Sequence, residues 1–333
     1  MKIVIIGAGI AGLIAESYFK GDLNNDIWVF DPKSSGLFSN HKAVMRLRDK
    51  RILNYLPCKL EEITVYKAIC KDGVLYNESN IMLNNLYSIK MSNSLSERSL
   101  SSLGKVKRYL ITKVFDIDKR NHQKLEVAKF SVEDFGGKMY NTINLSDGPP
   151  SIAYDICIST IPMPSLLKIL DLSNSYDVEF KYSAISINTY DLNIKSDVNQ
   201  TIYFTKDHNL YDYPYRATIE NNKLIIESKL SKAYDDKGEW QLGIFNDVIK
   251  SFGLRINDVD TESVENSIQP IGKISPIDDD IRKKIMMDLT DKFNIYSFGR
   301  FATWRQLRID QILDDIEKIG LLVRIKNKKY YDI

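Results

Sequence analysis

The sequence predicts an α/β fold: a doubly wound, mostly parallel sheet with an inserted α+β unit built on an antiparallel sheet. The first support is an apolar, β-branched run over 2–6 that leads directly into a glycine-rich turn and a helical pattern. A strand buried on both faces of a parallel sheet has this composition and this continuation. A second strand pattern, over 26–30, follows the helix. Over 172–285, by contrast, apolar and polar residues alternate in short runs, which is typical of strands with one solvated face.

Length and composition describe an ordinary globular chain. It has 333 residues, 44% hydrophobic and 27% charged, enough for one large domain or two intertwined ones. Lys and Arg number 46 against 44 Asp and Glu, so there is no overall field to attract nucleic acid or an anionic membrane. We therefore expect a small-molecule substrate as partner, and neither a membrane nor intact nucleic acid.

Cysteine and histidine usage indicates a cytoplasmic protein without a metal centre. Cys58, Cys70 and Cys157 have no CxxC spacing, which suits a reducing compartment. None of the three histidines has a neighbour at the spacing of helical metal ligands. The longest apolar run, 3–15, is too short to span a bilayer and is interrupted by glycines.

The motif G-x-G-x-x-G stands between the first strand and the first helix, the context that dinucleotide binding requires. Gly7 permits the tight turn, Gly9 lets backbone approach a pyrophosphate, and Gly12 allows close packing of helix on strand. The helix N-terminus then presents amide groups to the anion. Asp31 ends the second strand nineteen residues after Gly12 and is placed to accept hydrogen bonds from a ribose diol. The prediction is a Rossmann-like domain for FAD or NAD, because an acid repels the 2′-phosphate of NADP. The alternative is a glycine-rich turn that binds nothing.

Two later blocks favour a flavin over a nicotinamide. Regular βαβ units do not continue after Asp31, although a simple nicotinamide dehydrogenase has them. The run YDICIST (154–160) reads as a strand stopped by prolines, with a helix behind it. The run NIYSFGR (294–300) reads as a strand entering a glycine, and the apolar spacing over 301–319 predicts a helix directly after it. A helix N-terminus beside Arg300 suits the far end of a long dinucleotide.

These three blocks, GAGIAGLIAE with VFD, YDICISTIP and NIYSFGRFATWRQLRIDQILDD, resemble FAD-dependent amine oxidase-like flavoproteins. The nearest branch is UDP-galactopyranose mutase and the protoporphyrinogen oxidase-like proteins. The resemblance implies a glutathione reductase-like FAD-binding domain in which Arg300 contacts the pyrophosphate and the Asp310 end of the last helix lies near the flavin pyrimidine edge. The single Gly36 stands where the family usually has a glycine pair. The middle of the chain, including HKAVMRLRD, resembles flavoprotein-like proteins encoded by phages, whose location would be the host cytoplasm.

The predicted FAD-binding residues come from these blocks and from the basic segment after the second strand. They are Gly7, Ala8, Gly9, Ile10, Ala11, Gly12, Asp31, Pro32, Arg46, Thr160, Gly299, Arg300, Arg308 and Ile309. Arg46 and Arg48, two residues apart, share a face if the segment is extended, although salt-bridged structural arginines are the commoner case. No metal ligand is predicted, and the acidic run beginning at Asp278 reads as a helix N-cap.

Candidate catalytic residues are His41, as an acid, base or hydrogen-bond donor over the flavin, and Arg216, as a clamp for a phosphate or carboxylate. Candidate substrate-binding residues are Tyr213, Tyr215 and Arg305. Arg305 and Arg308 stand at i and i+3 of the predicted last helix and should share one side. The alternatives are a surface-loop histidine and ordinary aromatic residues at a sheet edge.

The predicted domain division is discontinuous. The FAD-binding domain takes 1–50, 106–171 and 286–325, and a substrate or cap domain takes 51–105 and 172–285. Within the second, strands are expected over 181–192, 201–205 and 215–229, the last holding a hairpin at 220–223, followed by a helix that ends at Gly253.

The leading functional prediction is an FAD-dependent oxidoreductase that transfers hydride from a small amine-like donor to flavin N5. One alternative is a non-redox flavoenzyme of the UDP-galactopyranose mutase type acting on a nucleotide sugar. Another is an enzyme of phage nucleotide or DNA base modification. An alternative of another class is a non-catalytic Rossmann-like binding or interaction module.

Overall fold

The structure is a computed structural model. It describes residues 1–22, 24–31, 46–92, 102–115, 122–134, 139–147, 151–205, 213–230 and 242–331, with the backbone alone at 92, 242 and 327–331. The candidates Pro32 and His41 lie outside the described residues.

Six α-helices and seventeen strands lie in the described residues, and the longest run of consecutive strands lies between residues 104 and 159. The helices are α1 (Ile10–Lys20), α2 (Ile81–Ser92), α3 (Met163–Ile169), α4 (Leu242–Ser251), α5 (Asp279–Phe293) and α6 (Ile309–Tyr331). The first strands are β1 (Lys2–Ile6), β2 (Asp26–Phe30), β3 (Arg46–Leu47), β4 (Cys58–Lys71), β5 (Val74–Tyr76), β6 (Gly104–Val114), β7 (His122–Gln123), β8 (Val127–Asp134) and β9 (Met139–Leu145). The later strands are β10 (Ile152–Tyr154), β11 (Ile156–Ser159), β12 (Tyr182–Leu192), β13 (Asn199–Phe204), β14 (Arg216–Glu220), β15 (Lys223–Lys229), β16 (Val259–Ile274) and β17 (Ile295–Ser297).

A parallel sheet of order β17-β11-β1-β2-β7 organises the first unit. Ile3 and Ile5 of β1 face one core, where α1 and α6 pack, and Val4 and Ile6 face a second core, which holds α3 and α5. Both faces are therefore buried, which is why β1 is a continuous apolar run. The predicted α/β fold with a doubly wound parallel sheet is confirmed.

The larger sheet has the order β16-β12-β15-β14-β13-β4-β6-β3, with β5 added to β4. Its neighbours pair antiparallel except β13 and β4, which are parallel. One face is apolar, where Ile202 and Ala217 pack against Phe245 and Val248 of α4. The opposite face, which carries Thr201, is called the polar face below. Strands β10, β9 and β8 form a separate antiparallel sheet.

Local signals placed several elements correctly. The hairpin between β14 and β15 turns at Asn221 and Asn222, both with left-handed φ values of 52° and 59°. Asp278 caps α5, because its carboxylate accepts the amides of residues 280 and 281 at 3.0 Å. Gly253 has a φ of +72° just after α4 ends.

The helix predicted over 301–319 is wrong at its start, since α6 begins at Ile309. Residues 301–304 form turns instead, and Trp304 has a left-handed φ of 48°. The reason is tertiary: the buried Trp304 indole donates a hydrogen bond to the Ser275 carbonyl at 2.9 Å, which the turn allows. Arg305 and Arg308 consequently precede the helix and do not share a helical side. Within 50–105, which shows little periodicity in sequence, the structure has the long strand β4 and the helix α2.

The domain boundaries stay a prediction, with one qualification from strand pairing. Strand β3 and most of β6 belong to segments expected in the FAD-binding domain, yet both lie in the larger sheet, where β6 pairs with β4. None of the helices in the described residues is both long and apolar enough to cross a membrane.

Candidate functional site

The glycine turn after β1 is fixed by the fold at its first position. Gly7 has a φ of +97°, which side-chain-bearing residues rarely adopt. A Cβ there would lie 2.4 Å from Oγ1 of Thr160, which itself donates to the Ile6 carbonyl at 2.9 Å. The Gly7 amide donates to Phe30 at 2.8 Å, so the turn is held by the ends of two neighbouring strands. Gly7 and Thr160, predicted separately, are thus brought together.

The third glycine of the motif is fixed by packing. A Cβ on Gly12 would lie 1.9 Å from the carbonyl oxygen of Gly7, so only glycine lets α1 rest on the turn. The first hydrogen bond of α1 runs from the Leu13 amide to Gly9 at 3.0 Å. The amides of residues 10–12 come before it and have no carbonyl of a preceding turn to bind. The first turn of α1 also contains no acid that would repel an anion.

Gly9, the middle glycine, is required neither by conformation nor by packing. Its φ of −69° suits any residue, and no described atom lies within 4 Å of a Cβ built on it. Open space therefore lies directly over the positive end of the helix dipole, which is where a pyrophosphate would approach.

Asp31 supports this turn from the end of β2. Its Oδ2 accepts the Ala8 amide at 2.6 Å, and its own amide donates to Gln123 at 3.1 Å. One carboxylate oxygen thus helps to hold the backbone that faces the open space. Its predicted contact with a ribose stays a prediction.

The C-terminal block meets the N-terminal block at this place. Gly299, with a φ of +91°, is so close to α1 that an added Cβ would lie 2.9 Å from Cβ of Ala11. The preceding Phe298 amide donates to Ser159 at 2.8 Å, which sets β17 beside β11. Arg300 follows at once, with its guanidinium carbon 5.4 Å from the centre of the Phe301 ring. Two segments almost 290 residues apart therefore converge on the first turn of α1.

The predicted arginines fall into two groups. Arg46 and Arg216 lie on the polar face of the larger sheet. Arg46 donates to Glu220 at 2.6 Å and to Thr201 Oγ1 at 2.7 Å, and the partly exposed Arg216 forms an ion pair with the buried Glu227. Although burial alone would lower it, the Glu227 carboxylate holds the pKa of Arg216 well above its usual value. The roles predicted for both arginines stay predictions.

The second group precedes and begins α6. Arg305 pairs with Asp315 of that helix. Arg308 is half-exposed and lies 3.5 Å from Asp310, while its amide donates to Gln311 at 3.0 Å. Ile309 is the first residue of α6.

The two candidate tyrosines are not brought together. Tyr213 packs in the core under α4, where burial raises its pKa. Tyr215 is 1% exposed and packs in another core with α2. The ammonium group of Lys273 lies 4.1 Å from the Tyr215 ring centre. Lys273 also lines a cavity of about 370 Å³, together with Met91, Lys181, Tyr182, Ser183, Lys229, Ile274 and Ser275.

Sequence reasoning missed Lys67, on the polar face of β4. Burial first, and then four surrounding arginines, lower its pKa to about 7. Its strand had no clear signal, and its neighbours come from segments distant in the chain, so only the pairing of strands reveals it.

Comparison with known proteins bears on the fold. No protein-family model and no curated protein sequence matches the chain. Among solved structures, the chain is similar to a reduced UDP-galactopyranose mutase, with a TM-score of 0.67, 16% identity and coverage of 96% of this chain and 94% of that one. It is also similar to a fatty acid isomerase from P. acnes that produces CLA, with a TM-score of 0.62, 11% identity and coverage of 95% and 97%.

A third similar structure is a protoporphyrinogen oxidase-like protein from Exiguobacterium sp. 255-15, with a TM-score of 0.56, 11% identity and coverage of 96% and 98%. All three belong to one class, the flavoproteins of the FAD-dependent amine oxidase and UDP-galactopyranose mutase superfamily. Nearly the whole chain shares the fold of these three structures, and the resemblance read from the three sequence blocks is confirmed at the level of the fold.

Proposed function

We propose that the protein is an FAD-dependent enzyme that holds the FAD pyrophosphate between the first turn of α1 and the turn at Gly299. The observation that carries the proposal is Gly9. The fold accounts for glycine at positions 7 and 12, but no described part of the protein uses the space over Gly9. A backbone that passes within contact distance of a diphosphate accounts for glycine there.

Each part of the site would bind a different part of FAD. Amides 10–12 and the helix dipole would bind one phosphate, and Arg300, next to the same turn, would neutralise the other. Asp31, at the end of β2, would accept a ribose hydroxyl while its other oxygen keeps the Ala8 amide in place. When bound, FAD supplies a hydride acceptor at N5, and the protein supplies orientation and electrostatics.

The reaction we propose is oxidation of a small amine-like donor, with hydride transfer to flavin N5. The donor would lie between the flavin and the polar face of the larger sheet, since ligand pockets favour the interface of two units. On that face Arg216 is fixed by Glu227, so its guanidinium is a positioned group rather than a mobile surface charge.

A second candidate is a non-redox flavoenzyme. It is supported by the two solved structures with TM-scores of 0.67 and 0.62, which are a mutase and an isomerase. In that case substrate and product would have the same oxidation level, and a reaction of the mutase type would require the flavin to be reduced before turnover.

Purified protein reconstituted with FAD tests both candidates. Bleaching of the flavin absorbance by an amine under anaerobic conditions, with recovery in oxygen, is the result expected for the oxidoreductase. Turnover only after dithionite, without a change in oxidation level, would favour the second candidate. Protein that retains no yellow colour after incubation with excess FAD would contradict both candidates and favour the non-catalytic binding module. Arg300→Ala is the companion variant, and full FAD affinity in it would contradict the role given to Arg300.

A further inference from the structure

The polar face of the larger sheet carries a cluster of five cations, called the cationic cluster here. Its members are Arg46, Arg48, Lys67, Arg108 and Arg216, which come from β3, its following residue, β4, β6 and β14. All four arginines are close enough to Lys67 to lower its pKa. Five like charges on one surface repel each other unless anions compensate them.

Strand pairing places Lys67, Arg46 and Arg108 on one face. Lys67 stands opposite Thr201 in the parallel pair of β4 and β13, and Thr201 stands opposite Thr218 of β14. Side chains at directly paired positions point to the same face of a sheet. Arg46 reaches this face because it donates to Thr201 Oγ1 at 2.7 Å. Arg108 stands opposite Ile63, four residues before Lys67 on the same strand and therefore on the same side.

Among the described residues, the acids on this face pair with two of the five cations. Glu220 pairs with Arg46 at 2.6 Å, and Glu227 pairs with Arg216. Within the described part of the chain, no carboxylate lies within ion-pair distance of Lys67, Arg48 or Arg108. Burial and the neighbouring Arg48 and Arg46 lower the pKa of Arg108, and the opposing effects of Tyr203 and of Asp310 at the start of α6 do not outweigh them.

One buried donor in the cluster has no acceptor in the part of the chain that the structure describes. The Arg46 side chain is only 8% exposed. Its Nε and Nη1 are used by Glu220 and Thr201, but Nη2 is buried and has no hydrogen-bond partner among the described residues. A buried, charged N–H without an acceptor is unfavourable and rare in native structures. An anion with oxygen acceptors would satisfy it.

The segment that leads into Arg46 cannot neutralise the cluster. Residues 32–45 contain two lysines and no aspartate or glutamate, so this segment brings no carboxylate that could compensate the cluster. This is a property of the sequence, whatever conformation the segment adopts.

We propose that the cationic cluster binds an oxyanion group of the substrate, a carboxylate or a phosphate, through Lys67, Arg108 and Nη2 of Arg46. The inference rests on the proposed function and narrows it: the amine-like donor also carries an acidic group. Arg46 and Arg216 are held by their glutamates, so the face is preorganised for this anion before it binds.

Anion titration of the FAD-loaded protein tests this. Sodium sulfate stands for a phosphate and sodium acetate for a carboxylate, each added at constant ionic strength while the unfolding midpoint and flavin spectrum are followed. A saturable effect of at least one anion is expected, and the more tightly bound one identifies the class. A wild-type protein that saturates with neither overturns the proposal.

Two lysine variants on one strand locate the effect. Lys67→Met should weaken the affinity for the anion about tenfold or more, because one charge-assisted hydrogen bond is lost. Lys59→Met, which removes an exposed lysine from the same strand, should change it less than about twofold. Equal affinities in the two variants overturn the proposal. If Lys67→Met does not unfold cooperatively, Arg108→Gln takes its place, since Arg108 forms no ion pair among the described residues.

The outcome is separable from the proposed function. Protein that binds no FAD contradicts the proposal that the chain is a flavoenzyme. The same anion titrations of the FAD-free protein, compared between Lys67→Met and Lys59→Met, still test whether the cationic cluster binds an anion. Protein that binds FAD but shows no Lys67-dependent anion effect contradicts the cluster alone.

Discussion

Replacing Gly9 by alanine separates ligand binding from folding at the glycine turn. The variant adds one methyl group where no described atom lies within 4 Å and where the φ of −69° suits alanine. Folding should therefore tolerate the change. FAD should not, because the methyl group occupies the space through which we propose that the pyrophosphate approaches the amides of α1.

The two effects differ in size. Alanine is a poorer N-cap than glycine, which lowers the stability by up to about 1 kcal/mol. Alanine also reduces the conformational entropy of the unfolded chain, which raises the stability by about 0.4–1 kcal/mol. The free energy of unfolding without FAD should thus change by less than about 1 kcal/mol. Forcing a methyl group into a close contact costs about 1–3 kcal/mol, so the Kd for FAD should rise about 5- to 150-fold.

Flavin fluorescence titration and urea unfolding of the FAD-free protein measure these two quantities. Gly243→Ala is the matched control, since a Cβ at Gly243 in α4 also meets no described atom, and it should leave FAD affinity unchanged. Gly12→Ala is the opposite control, because its Cβ would lie 1.9 Å from the Gly7 carbonyl and should destabilise the fold itself. A Gly9→Ala protein that folds and binds FAD as tightly as wild type would contradict a pyrophosphate site over Gly9.

Three further substitutions test the fold and its electrostatics. Asp278→Ala removes the N-cap of α5 and should lower the urea midpoint by the equivalent of about 1 kcal/mol, whereas Asp278→Ser should recover most of it. Glu227→Gln leaves the partly buried Arg216 charge without its partner and should destabilise by about 2–3 kcal/mol, less than a fully buried pair would cost; a loss under 1 kcal/mol would contradict the ion pair. Burial opposes ionisation of Glu16, but hydrogen bonds from His122 and Lys20 outweigh it and hold its pKa below 4.5. That stabilisation is present above about pH 4.5 and is lost as pH falls through the lower folded pKa, so the difference in stability between wild type and Glu16→Gln should narrow in acid; a constant difference would contradict it.

The parts of the fold that the sequence predicts well are those decided within a few neighbouring residues. The run KIVII, the glycines after it and the helix behind them are specified locally, so β1 and α1 could be located from the sequence. The same holds for the turn at Asn221 and Asn222 and for the Asp278 cap. In each case a backbone conformation or a cap selects its residue type directly.

The missed parts depend on contacts between distant segments. The spacing of Trp304 and the apolar residues after it fits a helix, but the second core draws the Trp304 indole to Ser275 and the helix begins later. The importance of Lys67 arises from the parallel pairing of β4 and β13 and from arginines on three other strands or their ends. No local pattern in a single sequence encodes that arrangement.

The most direct test is a crystal structure of the protein with FAD bound. We expect the diphosphate in contact with the amides of residues 10–12, over Gly9, and beside Gly299 and Arg300. A flavin bound in another cavity, or a diphosphate that touches only one of these two segments, would contradict the account.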